Sequence, residues 1–220
     1  MIYLIRHGET AARREGRCIG CTDLPLSARG IRQMELLGNW FAGQMAEQRI
    51  CTGGKVYTSP LLRCRESADL LFSDGKPDIL VRENLREASM GAWDGLTFRE
   101  IRERYPGEYE KRGENIGDYR VPGAETFREA GERFLKELSL LSRQTPEDDL
   151  IVVAHAGVIR AAICLTEQIE MKSAKDVMAI PQPGGGVTTL SRQEENGRER
   201  FQVVRVGVRP APLPDGSESI

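Results

Sequence analysis

The sequence has little that would explain an interaction with a charged polymer, a membrane or a metal. Its 31 Lys and Arg nearly cancel 33 Asp and Glu, leaving a net charge of −2. No general attraction to nucleic acid or to an anionic membrane is expected, so any anion site must be built locally. No apolar run approaches the ~18 residues that a membrane span needs. The opening Met1-Ile2-Tyr3-Leu4-Ile5 lacks the basic segment and the length of a signal sequence. The five cysteines are odd in number. Both features predict a reducing cytoplasm. Cys18-Ile19-Gly20-Cys21 is a lone CxxC pair, whereas a zinc site needs about two more ligands at suitable spacing. Neither a metal site nor a cofactor site is expected.

What is present is a globular composition, 40% apolar and 29% charged, over 220 residues. That length suits one α/β domain and can bury a sizeable core. Ile2–Ile5, Lys55–Thr58, Ile79–Val81 and Leu150–Ala154 read as strands. A helix is predicted after Ser27, with Ile31, Met34, Leu37, Phe41 and Met45 three or four apart. Ser59-Pro60 predicts a helix start, with Ser59 as the cap. Thr97 and Glu100 have capping-box spacing. Phe127, Ala130, Phe134, Leu138 and Leu141 share one face of a further helix. Val187–Leu190 and Phe201–Val204 read as late, paired strands. Strands alternating with helices predict an α/β fold with a largely parallel central sheet. We expect a single domain over 1–209, a lid or insertion around 97–123, and a disordered tail over 210–220.

The only two histidines each follow an apolar strand: His7 after Ile2–Ile5 and one arginine, His155 directly after Leu150–Ala154. In open α/β sheets ligands bind beyond the carboxyl ends of strands, so two parallel strands could deliver both imidazoles to one edge. Arg6 precedes His7, Gly8 leaves room for a close backbone approach, and Arg63 follows the second strand. A guanidinium can hold two phosphate oxygens at once, and helix N-termini add oriented N–H groups.

Four ordered blocks carry a family resemblance. Arg6-His7-Gly8-Glu9-Thr10 resembles the signature of the histidine phosphatase superfamily, which includes cofactor-dependent phosphoglycerate mutases. Ser59-Pro60-Leu61-Leu62-Arg63 resembles its S-P-L-x-R block. Leu85-Arg86-Glu87 with Gly91-Ala92-Trp93-Asp94-Gly95 resembles its L-x-E-x-x-x-G-x-W-[ED]-G block. Ala154-His155-Ala156-Gly157 resembles its second-histidine block. The resemblance spans residues 1 to about 160 and implies a three-layer α/β/α sandwich. It also implies a phosphomonoesterase of the histidine acid phosphatase type, acting on small phosphorylated molecules without metal. His7 would be the nucleophile, Arg6, Arg63 and His155 would clamp the phosphoryl group, and Glu87 would serve as acid and then base. Gly8, Thr10 and Gly157 would join Arg6, Arg63 and His155 in binding substrate. Glu83 and Asp94 are the other carboxylates near enough in sequence to replace Glu87.

The pattern departs at Arg13, where the family often has Asn, and at Arg17-Cys18-Ile19-Gly20, where it often has R-x-Q-G. Arg13, Arg14 and Arg17 could suit a second anionic group on the substrate. Pro181–Gly186 reads as a flexible rim over the site or as a plain linker. Rival readings are a mutase, which typically carries E-R-x-Y-G where this chain has Glu87-Ala88-Ser89-Met90-Gly91, and an inactive phosphate-binding module. An α-ribazole-5′-phosphate phosphatase is a candidate specific activity. The sequence does not disclose the oligomeric state.

Overall fold

The computed structural model describes residues 1–11, 16–73, 77–195 and 198–210. Arg13, Arg14 and residues 211–220 of the expected tail lie outside them. Six strands form one sheet: β1 (Ile2–Arg6), β2 (Lys55–Thr58), β3 (Asp78–Val81), β4 (Leu150–Ala154), β5 (Val187–Glu195) and β6 (Arg198–Val208), ordered β3-β2-β4-β1-β5-β6. The first four are mutually parallel, and β5 and β6 close the β1 side as an antiparallel pair. The paired late strands are longer than the apolar runs that predicted them, because β5 and β6 continue through polar residues such as Arg192 and Gln202.

Alternation along the strands sorts side chains onto two faces. Ile2, Leu4, Leu150, Val152 and Ala154 pack with α5 (Phe127–Gln144) and α6 (Ala156–Thr166). Ile5, Ile151 and Val153 face the opposite way, against α1 (Ala28–Ala46) and α2 (Leu62–Leu71). This is the expected three-layer α/β/α arrangement. All five residues of β4 are buried, as befits a central strand covered on both faces. Short helices α3 (Phe98–Arg104) and α4 (Glu108–Glu114) lie within 97–123, and α7 (Ala174–Ala179) follows α6. Trp93 anchors this region, its ring about 6 Å from those of Tyr105, Tyr109 and Tyr119. No helix of the described residues is long and apolar enough to cross a membrane.

The capping box at Thr97 and Glu100 is present. The helix start at Ser59 is not: α2 begins at Leu62, with no side-chain cap. Asp23 instead accepts the Leu62 N–H at 2.6 Å. In α1, Met34, Leu37 and Phe41 are buried, while Ile31 at the edge of the stripe is 38% exposed.

The turn after β1 packs backbone to backbone on the start of α1. A Cβ on Gly8 would meet the Gly30 carbonyl oxygen at 2.5 Å, and one on Gly30 would meet the Glu9 carbonyl oxygen at 2.1 Å. Gly43, on the same helix, has open space around it. Gly30→Ala is therefore expected to destabilise by about 2 kcal/mol or more, because backbone must move. Gly43→Ala should stabilise by up to about 1 kcal/mol through helix propensity. Urea unfolding of both variants checks this, and shifts of the same sign would refute the close approach.

Candidate active site

β4 sits between β1 and β2, and all three run the same way, so their carboxyl ends share one edge. Arg6 lies opposite Ala154. The His7 amide donates to the Ala154 carbonyl at 3.0 Å, and the Ser59 amide to that of Val153 at 3.0 Å. Consequently His7, His155 and Ser59 leave the sheet together. The imidazole centroids are 5.2 Å apart, edge to face.

Hydrogen bonds fix the proton on each ring. The His7 Nδ1–H donates to the Gly8 carbonyl at 2.6 Å, which leaves the lone pair of the neutral ring on Nε2. His155 has the other tautomer. Its Nδ1 accepts from the Arg63 Nε–H at 3.2 Å, and its Nε2–H donates to Ser59 Oγ at 2.7 Å. Ser59 thus orients a histidine rather than capping a helix. Both rings are held neutral. Burial, first, and then Arg6 and Arg63 push the His7 pKa well below its ordinary value. For His155 burial again leads, followed by Arg63 and His7.

Arg63 is 1% exposed and rigidly held. Besides His155 it donates Nη1 to the Thr22 carbonyl at 2.9 Å and Nη2 to that of Gly20 at 2.8 Å. Two of its five N–H groups remain for a ligand. The 20–22 turn is itself fixed by Asp94, whose carboxylate accepts the amides of Gly20, Cys21 and Thr22 at 2.8 to 2.9 Å. Asp94 is therefore a structural anchor for Arg63, not a carboxylate facing the cavity. Glu83 is exposed and also lies elsewhere.

Glu87 does reach the cavity. Its carboxylate accepts the Gly157 and Val158 amides, both at 2.9 Å, closing the first turn of α6. A Cβ on Gly157 would come within 2.5 Å of Glu87 Oε1 and would displace the carboxylate from this position. Arg6 bonds the Gln182 carbonyl through Nη1. Its own backbone is held by Gly185 and Gly186. Residues 181–186 are thus docked on Arg6 rather than forming a loose rim, and the sequence pattern gave no sign of it.

The cavity, of about 390 Å³, is lined by Arg6, His7, Thr10, Arg63, Glu87 and Gly157, among others. His155 is fully buried behind its wall. Gly8 is not part of the lining. Its amide donates to Ser67 Oγ at 3.1 Å, and the close approach it permits is to Gly30, not to a ligand. Arg17 lines the wall, with Arg112 and Arg160, which the sequence did not single out. Among the described residues no group of three or more His, Cys, Asp or Glu is placed to hold a metal ion. The arrangement offers a nucleophilic nitrogen beside fixed cations, with a carboxylate across the cavity.

A family model, "Histidine phosphatase superfamily (branch 1)", matches residues 2–205. The uncharacterized phosphatase PhoE of Bacillus subtilis is 28% identical over 162 residues, 74% of this chain and 75% of its own. A 6-phosphofructo-2-kinase/fructose-2,6-bisphosphatase of Gallus gallus is 31% identical over 176 residues, 80% of this chain but only 34% of its own. In structure the chain resembles Bacillus stearothermophilus YhfR, with a TM-score of 0.79 at 25% identity, covering 92% of this chain and 94% of that one.

The buried neutral histidines make stability depend on pH. Unfolded, each imidazole takes a proton near its ordinary value of 6.5, whereas folded it resists. The folded state then binds fewer protons, so this contribution is full above pH 6.5 and declines as pH falls below it. Both groups act in the same direction, and the dependence steepens as pH falls below 6.5. Between pH 6.5 and 5.5 urea-derived stability should fall, and replacing either histidine should make the fall shallower. A flat profile in wild type would mean that the rings are protonated when folded.

Proposed function

The chain belongs to the histidine phosphatase superfamily, and from that premise we propose that it is a metal-independent phosphatase of small-molecule phosphate monoesters, working through a phosphohistidine on His7. The observation that carries this reading is the His7 ring, neutral and tied through Nδ1–H to Gly8 so that Nε2 keeps its lone pair. The same ring lies beside Arg6, Arg63 and His155.

Nε2 attacks phosphorus, the P–N bond forms and the bond to the leaving oxygen breaks, with Glu87 delivering a proton to that oxygen. Arg6 and Arg63 stabilise charge on the equatorial oxygens, where phosphoryl transfer needs positioning and electrostatic support. Arg63 stays tied to His155, Thr22 and Gly20 and donates its two remaining N–H groups to the phosphoryl oxygens, with His155 fixing the guanidinium from behind. Water then attacks, Glu87 accepts its proton, and the P–N bond breaks to release phosphate and neutral His7. The covalent step divides one difficult displacement into two easier ones. The donor set supports chemistry without metal, because both imidazoles are engaged by protein groups and the nearby carboxylates of Glu87 and Asp94 hold backbone amides.

Rapid quench with ³²P-labelled p-nitrophenyl phosphate should trap a protein-bound phosphate that is acid-labile and base-stable. It should form equally after EDTA treatment. His7→Ala should abolish it and lower kcat by on the order of 10³ or more. Wild-type turnover by His7→Ala, or EDTA inactivation rescued by one divalent ion, would overturn the reading.

Glu87→Gln keeps the side-chain size and removes the proton. It should slow phosphoenzyme formation from an alkyl phosphate by about 10²–10⁴. The effect on p-nitrophenyl phosphate should be far smaller, since nitrophenolate departs without a proton. Single-turnover measurements are needed, because Glu87 also serves the hydrolysis step. Equal losses on both substrates would leave Glu87 only its cap on α6.

A further inference from the structure

The charge around the cavity exceeds what one phosphoryl group can match. Among the described residues five guanidinium groups, those of Arg6, Arg17, Arg63, Arg112 and Arg160, line it with a single carboxylate, Glu87. A phosphate monoester dianion would leave a positive remainder. Three of these arginines lie outside the proposed phosphoryl clamp. Arg17 has protein partners: Nη1 donates to the Gly95 carbonyl at 2.9 Å and lies 3.9 Å from Glu100. Arg160 donates Nε to the Ile180 carbonyl at 2.9 Å.

Arg112, on α4, differs from both. Its side chain is half-buried and makes neither a hydrogen bond nor an ion pair with any described residue. Burial holds its guanidinium below the usual arginine range. The ionisable groups it senses are Cys18, Tyr109 and Tyr119. Neither Cys18 nor Tyr119 supplies a negative charge at neutral pH: burial pushes the Cys18 thiol up to about 11, and burial, with Glu108 beside it, pushes the Tyr119 hydroxyl up to about 12. Of the three acidic residues of its own helix, Glu114 is exposed and lines a different cavity. Glu108 pairs with Lys111 at 2.7 Å, and Glu110 with Arg102 at 3.2 Å. A guanidinium partly withdrawn from water with no counter-charge among the described residues is costly. Its position on the cavity wall gives the missing charge an obvious source, a ligand.

We propose that Arg112 receives a second anionic group, a carboxylate or a second phosphate, borne by the leaving-group portion of the substrate. The preferred substrates are then doubly anionic phosphate esters rather than neutral alcohol phosphates. Arg160 and Arg17 flank the cavity and add to the attraction. This inference rests on the phosphatase reading and specifies its substrate class.

The test compares esters that differ in one anionic group. Phosphoserine against phosphoethanolamine isolates a carboxylate, and propane-1,3-diol bisphosphate against propyl phosphate isolates a second phosphate. In wild type at least one anionic member should exceed its counterpart in kcat/KM by about tenfold or more, as expected for a charge-assisted contact. Arg112→Ala should collapse that ratio toward one, and Arg112→Lys should keep part of it. A ratio measured within one preparation does not depend on how much of the variant folds. Dissociation constants on His7→Ala protein give the same comparison without turnover. A failure of the phosphohistidine chemistry therefore leaves this inference readable. Ratios near one for both pairs in wild type, or a ratio unchanged by Arg112→Ala, would overturn it.

Discussion

Parallel pairing of β1 with β4, Arg6 opposite Ala154, is the constraint on which the rest of the site depends. The backbone bond from His7 to Ala154 continues that register one residue past the strand. It brings the two residues side by side, and the hydrogen bonds of the rings then set their 5.2 Å centroid separation. A slip of one residue would turn His7 to the other face of the sheet. The burial of all of β4 makes such a slip expensive, since Val152 and Ala154 would exchange faces relative to their neighbours. The hydrophobic core therefore sets the geometry of a polar site that it hardly touches.

Once the rings are adjacent, low polarity and positive neighbours act in the same direction on both. Burial disfavours the imidazolium, and Arg6 and Arg63 disfavour it further. The neutral form then leaves one lone pair per ring to be assigned, and the Gly8 carbonyl and the Arg63 Nε–H assign them oppositely. Arg63 joins the two halves of the site, touching His155 on one side and the 20–22 turn on the other.

The sheet and both histidines were legible in the sequence because each strand is a short apolar run ended by a polar residue, a pattern with few other readings. The stripes of α1 and α5 were legible for the same reason of periodicity. What was misread was local chemistry that depends on distant chain. Ser59-Pro60 looks like a helix start, but the Ser59 hydroxyl is engaged by a histidine 96 residues away. Gly8 looks like an opening for a ligand, but its vacant side faces Gly30. Arg112 stands in a charged run with Glu108, Glu110 and Lys111, and nothing in the spacing separates it from a solvated helix face. Glu87 was distinguishable from Glu83 and Asp94 only by its block. Its reach into the cavity follows from the fold, which brings the segment after β3 against the first turn of α6.

The hold of Asp94 on residues 20–22 has a consequence for how this protein can change. Every bond in that chain of support, from the carboxylate to three amides and from two carbonyls to Arg63, is made by main-chain atoms of the turn. The side chain of Cys21, which is exposed, takes no part. The side chains at Cys21 and Thr22 can therefore change while the guanidinium the turn carries stays in place, whereas Gly20 cannot, since a Cβ there would meet the Ala88 carbonyl oxygen at 2.7 Å. Mutational freedom and mechanical rigidity coexist at one position because the scaffold recognises a backbone shape and not a residue.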